Sequence, residues 1–279
     1  MSATVGKPVR GPVRLKPIRL KQGLAIVLAL ISLLPLLVLL VSALRPAADV
    51  FKASWPDSWT FDNFGEAITA DFWRYVGNSL FVSVVVTVVA LWFHSMAGYA
   101  LARLRFPGRG VMFGAIIATL LVSLPVVLVP TFLLVKQLGL LDSYAGLIIP
   151  SIFNAFGIFW LRQFYLGIPD ELEDAARMDG CGWFGVWWRV AVPLSLPVLA
   201  SLAVLFFLTN WNSYLWPLTI LGDNKLWTVQ VGLASLQGQY AASYNLIMAG
   251  SLVVAIPTIV LFVIFQRQIV DSFKNAGLK

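Results

Sequence analysis

Charge is what this chain has least of. Only 12% of its 279 residues are charged and 59% are hydrophobic, against about 25% charged residues in soluble domains. Mean hydropathy is +0.84. A water-soluble fold is excluded and an integral membrane protein is expected. A single cysteine, Cys181, excludes an internal disulfide and any cysteine-based metal cluster. The sequence has no G-x-x-x-x-G-K-[ST] phosphate loop, so it cannot hold ATP by that device, and no H-E-x-x-H metal motif. It also shows no internal repeat.

Six charge-poor stretches remain, each near the ~20 residues needed to cross a bilayer. They are 23–44, 76–102, 111–135, 143–161, 194–216 and 244–265, and they predict an all-α membrane protein with six transmembrane helices. A basic region before an apolar run also describes a secretory signal, and Val41-Ser42-Ala43 loosely resembles a cleavage site. The 23–44 run exceeds a signal core of about 7–15 residues, so a retained helix is expected. Pro125, Pro130 and Pro150 fall inside spans and should kink them, freeing backbone carbonyls that neighbouring helices or a watery path must satisfy.

The net charge of +7 and pI near 9.7 could be read as nucleic-acid binding, but in a membrane protein the placement of Lys and Arg matters more. With six spans both termini share one side. Fifteen Lys and Arg fall there and five on the other, which makes the termini cytoplasmic by the positive-inside rule. The tail 1–22 carries six of the fifteen, with Pro8, Pro12 and Pro17 opposing a continuous helix. It reads as an orienting flank, with lipid binding as the alternative. The loop 45–75 is rich in Trp, Asp and Pro, and its tryptophans suit an interfacial position. The semi-polar stretch 226–243, with Gln230, Gln237 and Gln239, reads as an extracytoplasmic loop that partly re-enters.

No Lys, Arg, Asp or Glu lies inside an expected span core. Buried ionisable relays, which proton-coupled carriers and pumps use, reduce here to His94, whose simpler role is a packed, hydrogen-bonded one. Uphill movement therefore needs energy from a partner. The fifth span gathers Thr209, Asn210, Trp211, Asn212 and Tyr214. An indole beside an amide suits a sugar ring; interhelical hydrogen bonding and an interfacial Trp belt account for the same residues equally well.

The exception to the apolar pattern is 168–193, with Asp170, Glu171, Glu173, Asp174, Arg177, Asp179 and Arg189. Each would cost roughly 2.5–3.5 kcal/mol in hydrocarbon, so this is a structured loop at a membrane face, on the cytoplasmic side. Asp170 with Glu173 forms a D-x-x-E capping pattern. A helix is expected over 171–179, about 13 Å long, stopped by Gly180 in the left-handed conformation. Leu172, Ala175, Ala176 and Asp179 share one face, and Glu173 can pair with Arg177 at i, i+4. A second amphipathic helix is expected over 183–190, ending at Pro193. The plainer reading is a solvated connector, but a connector has no need of caps, a helix and an Ala-Ala pair. A protein-docking helix is the sharper one.

These residues resemble the signature of ABC importer permeases: EAA, three residues, Gly, nine residues, Ile, one residue, Leu-Pro. Asp174-Ala175-Ala176, Gly180, Val190 and Val192-Pro193 keep that spacing, with Asp for Glu, Val for Ile and Val for Leu. Asp174 is one methylene shorter than the family's acid, and Glu173 stands beside it. Residues 73–267 further resemble the MalG-like carbohydrate-uptake permeases at Asn78-Ser79, 97–103, Gly157-Ile158-Phe159, Arg162-Gln163-Phe164, Trp211-Asn212, Pro217 and Phe265-Gln266-Arg267.

The resemblance implies a type I ABC importer permease fold in a bacterial plasma membrane. It divides the chain into a tail (1–22), a first helix with its outer loop (23–72), a core domain (73–267) and a second tail (268–279). The implied partners are a second, non-identical permease, a dimer of ABC ATPase subunits holding ATP and Mg, and an extracytoplasmic sugar-binding protein at 45–75 and 223–243. Glu173, Asp174, Ala175, Ala176, Arg177 and Gly180 would couple to the ATPase, and Asn210, Trp211, Asn212 and Tyr214 are candidates for the path. The implied cargo is a sugar or oligosaccharide, with a polyol or glycerol phosphate as the alternative. Rival classes are a stand-alone secondary carrier, which leaves 168–193 unexplained, and a membrane enzyme, for which Asp57, Asp62, Glu66 and Asp71 show no metal-site spacing.

Overall fold

The computed structural model describes residues 20–50, 52, 54–239 and 244–276; nearly all of the basic tail expected over 1–22 lies outside them. Among the described residues there are helices and no strands. Four helices are long and apolar enough to cross a membrane: α1 (Leu20–Ala43), α3 (Ala70–Arg103), the run 183–211, and α13 (Tyr244–Ala276) through its part up to Gln266. Between α1 and α3 lies the short helix α2 (Asp62–Ala67). Two further spans are bent pairs: α4 (Arg109–Ala118) with α5 (Leu124–Gln137), and α6 (Tyr144–Ile152) with α7 (Ala155–Leu166). Counting each pair as one span gives the expected six.

Two expected spans are interrupted by bends. The expected span 111–135 breaks at Val122-Ser123, because Pro125 sits in the first turn of α5 and cannot donate to the preceding turn. The span expected over 143–161 breaks at Phe153-Asn154 with a 41° bend. There the Asn154 side chain caps α7 by accepting the Phe156 N–H at 2.9 Å, and His94 Nε2 accepts the Asn154 N–H at 3.1 Å. His94 is thus the hydrogen-bonded residue expected of it, satisfying a backbone donor at a helix break.

The expected stop at Pro193 is overturned as well. α8 (Asp170–Met178) is followed by α9 (Trp183–Val186), a π-helical turn at Trp187–Ala191 and α10 (Val192–Trp211), which join into one run. The wider π turn opens the ladder where the Pro193 ring would otherwise clash. The run ends at Trp211 rather than 216, and after Asn212-Ser213-Tyr214 the chain resumes in α11 (Leu215–Ile220). Helix α12 (Val229–Gln239) packs on α3 and α13.

Small residues let the helices close, as membrane packing requires. A Cβ on Gly98 of α3 would lie 3.0 Å from the Arg162 nitrogen and 3.0 Å from Leu161 Cβ of α7. A Cβ on Gly157 of α7 would lie 2.5 Å from the Phe206 ring of α10 and 2.7 Å from His94 Nδ1 of α3. At the end away from the 168–193 loop, the Asp142 carboxylate accepts the N–H groups of Gly222 and Asp223. Those donors hold it below the ordinary carboxylate range, so this brace is intact at neutral pH and loosens only as acid protonates it. Arg45 donates to the carbonyls of Asp49, Lys52 and Ser54.

Candidate functional site

Of all the side chains in α8, only that of Glu173 is buried. Helix α8 begins at Asp170, with Pro169 rather than Asp170 at the cap position and no capping side-chain bond. The expected D-x-x-E box is therefore absent. Asp170 instead accepts Arg103 Nη1 from the end of α3, while Arg103 Nη2 donates to the Ile168 carbonyl. Arg103 outcompetes the box because one guanidinium can serve the Asp170 carboxylate, the Ile168 carbonyl and Glu173 together.

Glu173 completes that arrangement. Its Oε1 lies 3.0 Å from Arg103 Nε. Its Oε2 accepts Tyr99 Oη at 3.3 Å and the expected i, i+4 partner Arg177 at 3.4 Å. A buried carboxylate survives only with such partners. Arg177 in turn covers the Trp183 ring at 3.9 Å, which closes α8 onto α9. Gly180 ends the turn at φ +85°, as expected of a left-handed stop. A second, neutral network backs the same corner. Trp187 Nε1 donates to Ser95 Oγ at 3.1 Å, Ser95 shares a 2.6 Å hydrogen bond with Tyr165, and Tyr165 another of 3.2 Å with Ser195.

The outward side of α8 is open. Asp174 is exposed and reaches only Arg177, at 3.6 Å. Leu172, Ala175 and Met178 are exposed, Ala176 is half-buried against the core, and Met178 reaches 88% exposure. Trp183, Phe184 and Trp188 continue this apolar surface. The expected docking residues therefore divide. Asp174, Ala175 and Arg177 lie on the outside of a short helix, and Glu173 faces inward as its anchor.

The second feature is a cavity of about 620 Å³ among the broken helices. Each break supplies lining: Val122 from the first, Phe153 and Asn154 from the second, Ser213 from the third. Thr119, Thr131, Ser151, Thr209 and Asn210 add hydroxyl and amide groups, and no charged residue lines it. Several hydroxyls donate to their own helix, such as Thr209 to the Leu205 carbonyl at 2.8 Å and Ser151 to the Leu147 carbonyl at 2.7 Å. Their oxygens can still accept from a solute. Among the candidates for the path, only Asn210 lines this cavity. Trp211 is 1% exposed, stacks on Phe207 at 5.8 Å and donates to the Val254 carbonyl at 3.1 Å. Its surroundings are those of a packing residue. Asn212 accepts Gln230 at 3.2 Å near the break, and Tyr214 is 39% exposed.

Tyr99 and Arg103 were missed by the sequence reading. Both belong to the 97–103 stretch that resembles the carbohydrate-uptake permeases, and their i, i+4 spacing on one helix face is the signal for a shared partner.

Bent spans around an uncharged cavity, its mainly apolar wall dotted with hydroxyl and amide groups, together with a tethered amphipathic helix at one end, fit a helical membrane permease. The comparisons agree. Residues 94–270 match the family described as binding-protein-dependent transport system inner membrane component. The chain belongs to that family and is an ABC importer permease. It is 36% identical to the arabinooligosaccharides transport system permease protein AraQ of Halalkalibacterium halodurans, over 90% of this chain and 93% of that one. It is 30% identical to the diacetylchitobiose uptake system permease protein NgcG of Streptomyces coelicolor, over 93% and 88%. A chain from the crystal structure of a bacterial ABC transporter involved in import of the acidic polysaccharide alginate superposes with a TM-score of 0.76. That match has 27% identity and covers 92% of this chain and 99% of the other.

Proposed function

We propose that this permease carries a carbohydrate and that α8 is its ATPase-docking helix, with the 168–193 end cytoplasmic. The observation that carries the docking role is the division of α8 into one buried anchor and an open face. A helix tied to α3 through Glu173 can pass a push into the membrane, whereas a free connector would absorb it. The excess of Lys and Arg at the same end supports the cytoplasmic orientation. ATP and Mg then belong to two separate ATPase subunits, and this chain hydrolyses nothing. A second permease pairs with it, and a sugar-binding protein delivers cargo at the opposite face, where the described parts of 45–75 and 223–243 lie.

The cavity supports the choice of cargo. A neutral solute with hydroxyls on an apolar ring face matches an uncharged wall of apolar and aromatic side chains interspersed with hydroxyls and amides, and the arabinooligosaccharide and diacetylchitobiose systems point the same way. Alternating access follows when the two permeases rock about this midplane site. The test is reconstitution with the partner permease, the ATPase and the binding protein in liposomes. Oligosaccharide-loaded binding protein should stimulate ATP hydrolysis and sugar uptake together. Uptake by the chain without ATP would favour a secondary carrier and contradict the proposal.

A further inference from the structure

Among the described membrane-crossing helices, α3 alone has neither a proline nor a break. α1 holds Pro35, α5 Pro125 and Pro130, α6 Pro150, the 183–211 run Pro193 and Pro197, and α13 Pro257. α3 runs 34 residues, about 51 Å at 1.5 Å per residue. That exceeds the ~30 Å hydrocarbon layer, so its ends reach both faces. The stretch Val84-Val85-Val86-Thr87-Val88-Val89 restricts χ1 freedom along its middle.

Both ends grip loops. At the inner end Arg103 and Tyr99 hold Ile168, Asp170 and Glu173. Towards the outer end Asn78 Nδ2 donates to the carbonyls of Lys225 and Trp227, both at 2.9 Å, and its Oδ1 accepts Tyr144 Oη at 2.8 Å. Next to it Ser79 Oγ accepts the Val229 N–H at 2.8 Å, capping the start of α12. A Cβ on Gly232 would collide with Tyr75, so α12 lies directly on α3. Asn78 and Ser79 are buried, and these bonds are sheltered from exchange with water.

We infer that α3 is a transmission rod: Asn78 and Ser79 lock the 225–229 segment to the same helix that Arg103 and Tyr99 lock to α8, so that the outer loop and the inner docking helix move as one body. The two clamps stand 25 residues apart, about 38 Å along the axis. Proline-bearing helices bend under load at their missing hydrogen bonds. A continuous helix does not offer such a joint, and α3 is the element here that joins the two faces without one. Asn78 and Ser79 are thus positioning residues for coupling. This inference rests on the reading of α8 as the ATPase-docking helix.

The experiment uses the complete importer in liposomes, comparing wild type with the double variant Asn78→Ala, Ser79→Ala. Basal ATP hydrolysis should stay within about twofold of wild type, because the inner clamp is intact. Stimulation by substrate-loaded binding protein should fall at least tenfold. Stimulation retained within twofold overturns the rod. A second variant, Asn78→Cys with Trp227→Cys and Cys181→Ala, is joined by a short bifunctional thiol reagent. Cross-linking should raise stimulation back toward wild type, since the covalent link replaces the clamp lost with the Asn78 amide; a further fall on cross-linking overturns the rod even where the double alanine variant fails to assemble. A wild-type complex that assembles but shows no stimulation overturns the docking reading and the rod with it. Normal wild-type stimulation with either variant misbehaving as stated overturns the rod alone.

Discussion

Helix α3 and the helices around the cavity solve opposite problems with similar composition. α3 is continuous over 34 residues and ends in charged and polar clamps. The spans beside it are interrupted at 122–123, 153–154 and 212–214, and every interruption reaches the cavity. A broken helix frees backbone N–H and C=O groups that hydrocarbon cannot satisfy. Concentrating the breaks at one uncharged cavity, with Asn154 and His94 as local caps, gathers the lining's polar groups in one place. Keeping α3 whole leaves one stiff element between the two faces. The difference teaches that continuity and interruption are distributed by task in this fold.

Removing the clamp should have the largest effect. Glu173→Ala leaves Arg103 without its buried carboxylate, and breaking a buried pair costs roughly 3–5 kcal/mol. The detergent-solubilised complex should lose thermal stability and ATP-driven uptake together. The next change turns α3 into a broken helix. Val86→Pro deletes one ladder bond and inserts a ring clash, about 3 kcal/mol or more, at a site only 1% exposed. Uptake should vanish, whereas Pro150→Ala, in a span already broken, should leave the chain folded by the same thermal measurement.

A smaller cost falls on Gly180→Val. At φ +85° a β-branched residue costs at least the ~1–2 kcal/mol of a left-handed L-residue. No heavy atom stands within 4 Å of the added carbon, so the strain is local to the end of α8. Membrane insertion, followed by fractionation, should persist while stimulated ATP hydrolysis is lost. Asn210→Leu should leave stability nearly unchanged, because its bond to the Phe206 carbonyl at 2.8 Å lies within its own helix. It should shift the concentration dependence of uptake, the one effect specific to the cavity. Unchanged uptake kinetics would remove Asn210 from the path.

Much of this fold was legible because hydrocarbon leaves so few options. Runs without charge gave the six spans, and Gly180 marked the stop of α8 through its conformational freedom. The spacing from Asp174 to Pro193 carried the family. The breaks were less legible, since a proline is compatible with a kink, a π turn or an interruption, and the choice depends on neighbours such as His94 against Asn154. The direction of Glu173 was hidden for a related reason. Periodicity says which residues share a helix face, but the face that turns inward is chosen by Arg103, 70 residues earlier in the chain. Trp211 carried a chemistry suited to sugar and a volume suited to packing, and only its burial against Phe207 and Val254 separates them.

The central claim is that the open face of α8 meets an ATPase while Glu173 holds its back to α3. Met178 is the most direct probe, being 88% exposed on that helix and free of the clamp. In the assembled importer, Met178→Cys in a Cys181→Ala background should cross-link to the ATPase subunit with a short thiol-reactive reagent, in a yield that changes when nucleotide is added. A cross-link that forms only with lipid or the partner permease, with no ATPase adduct in any nucleotide state, would contradict the account.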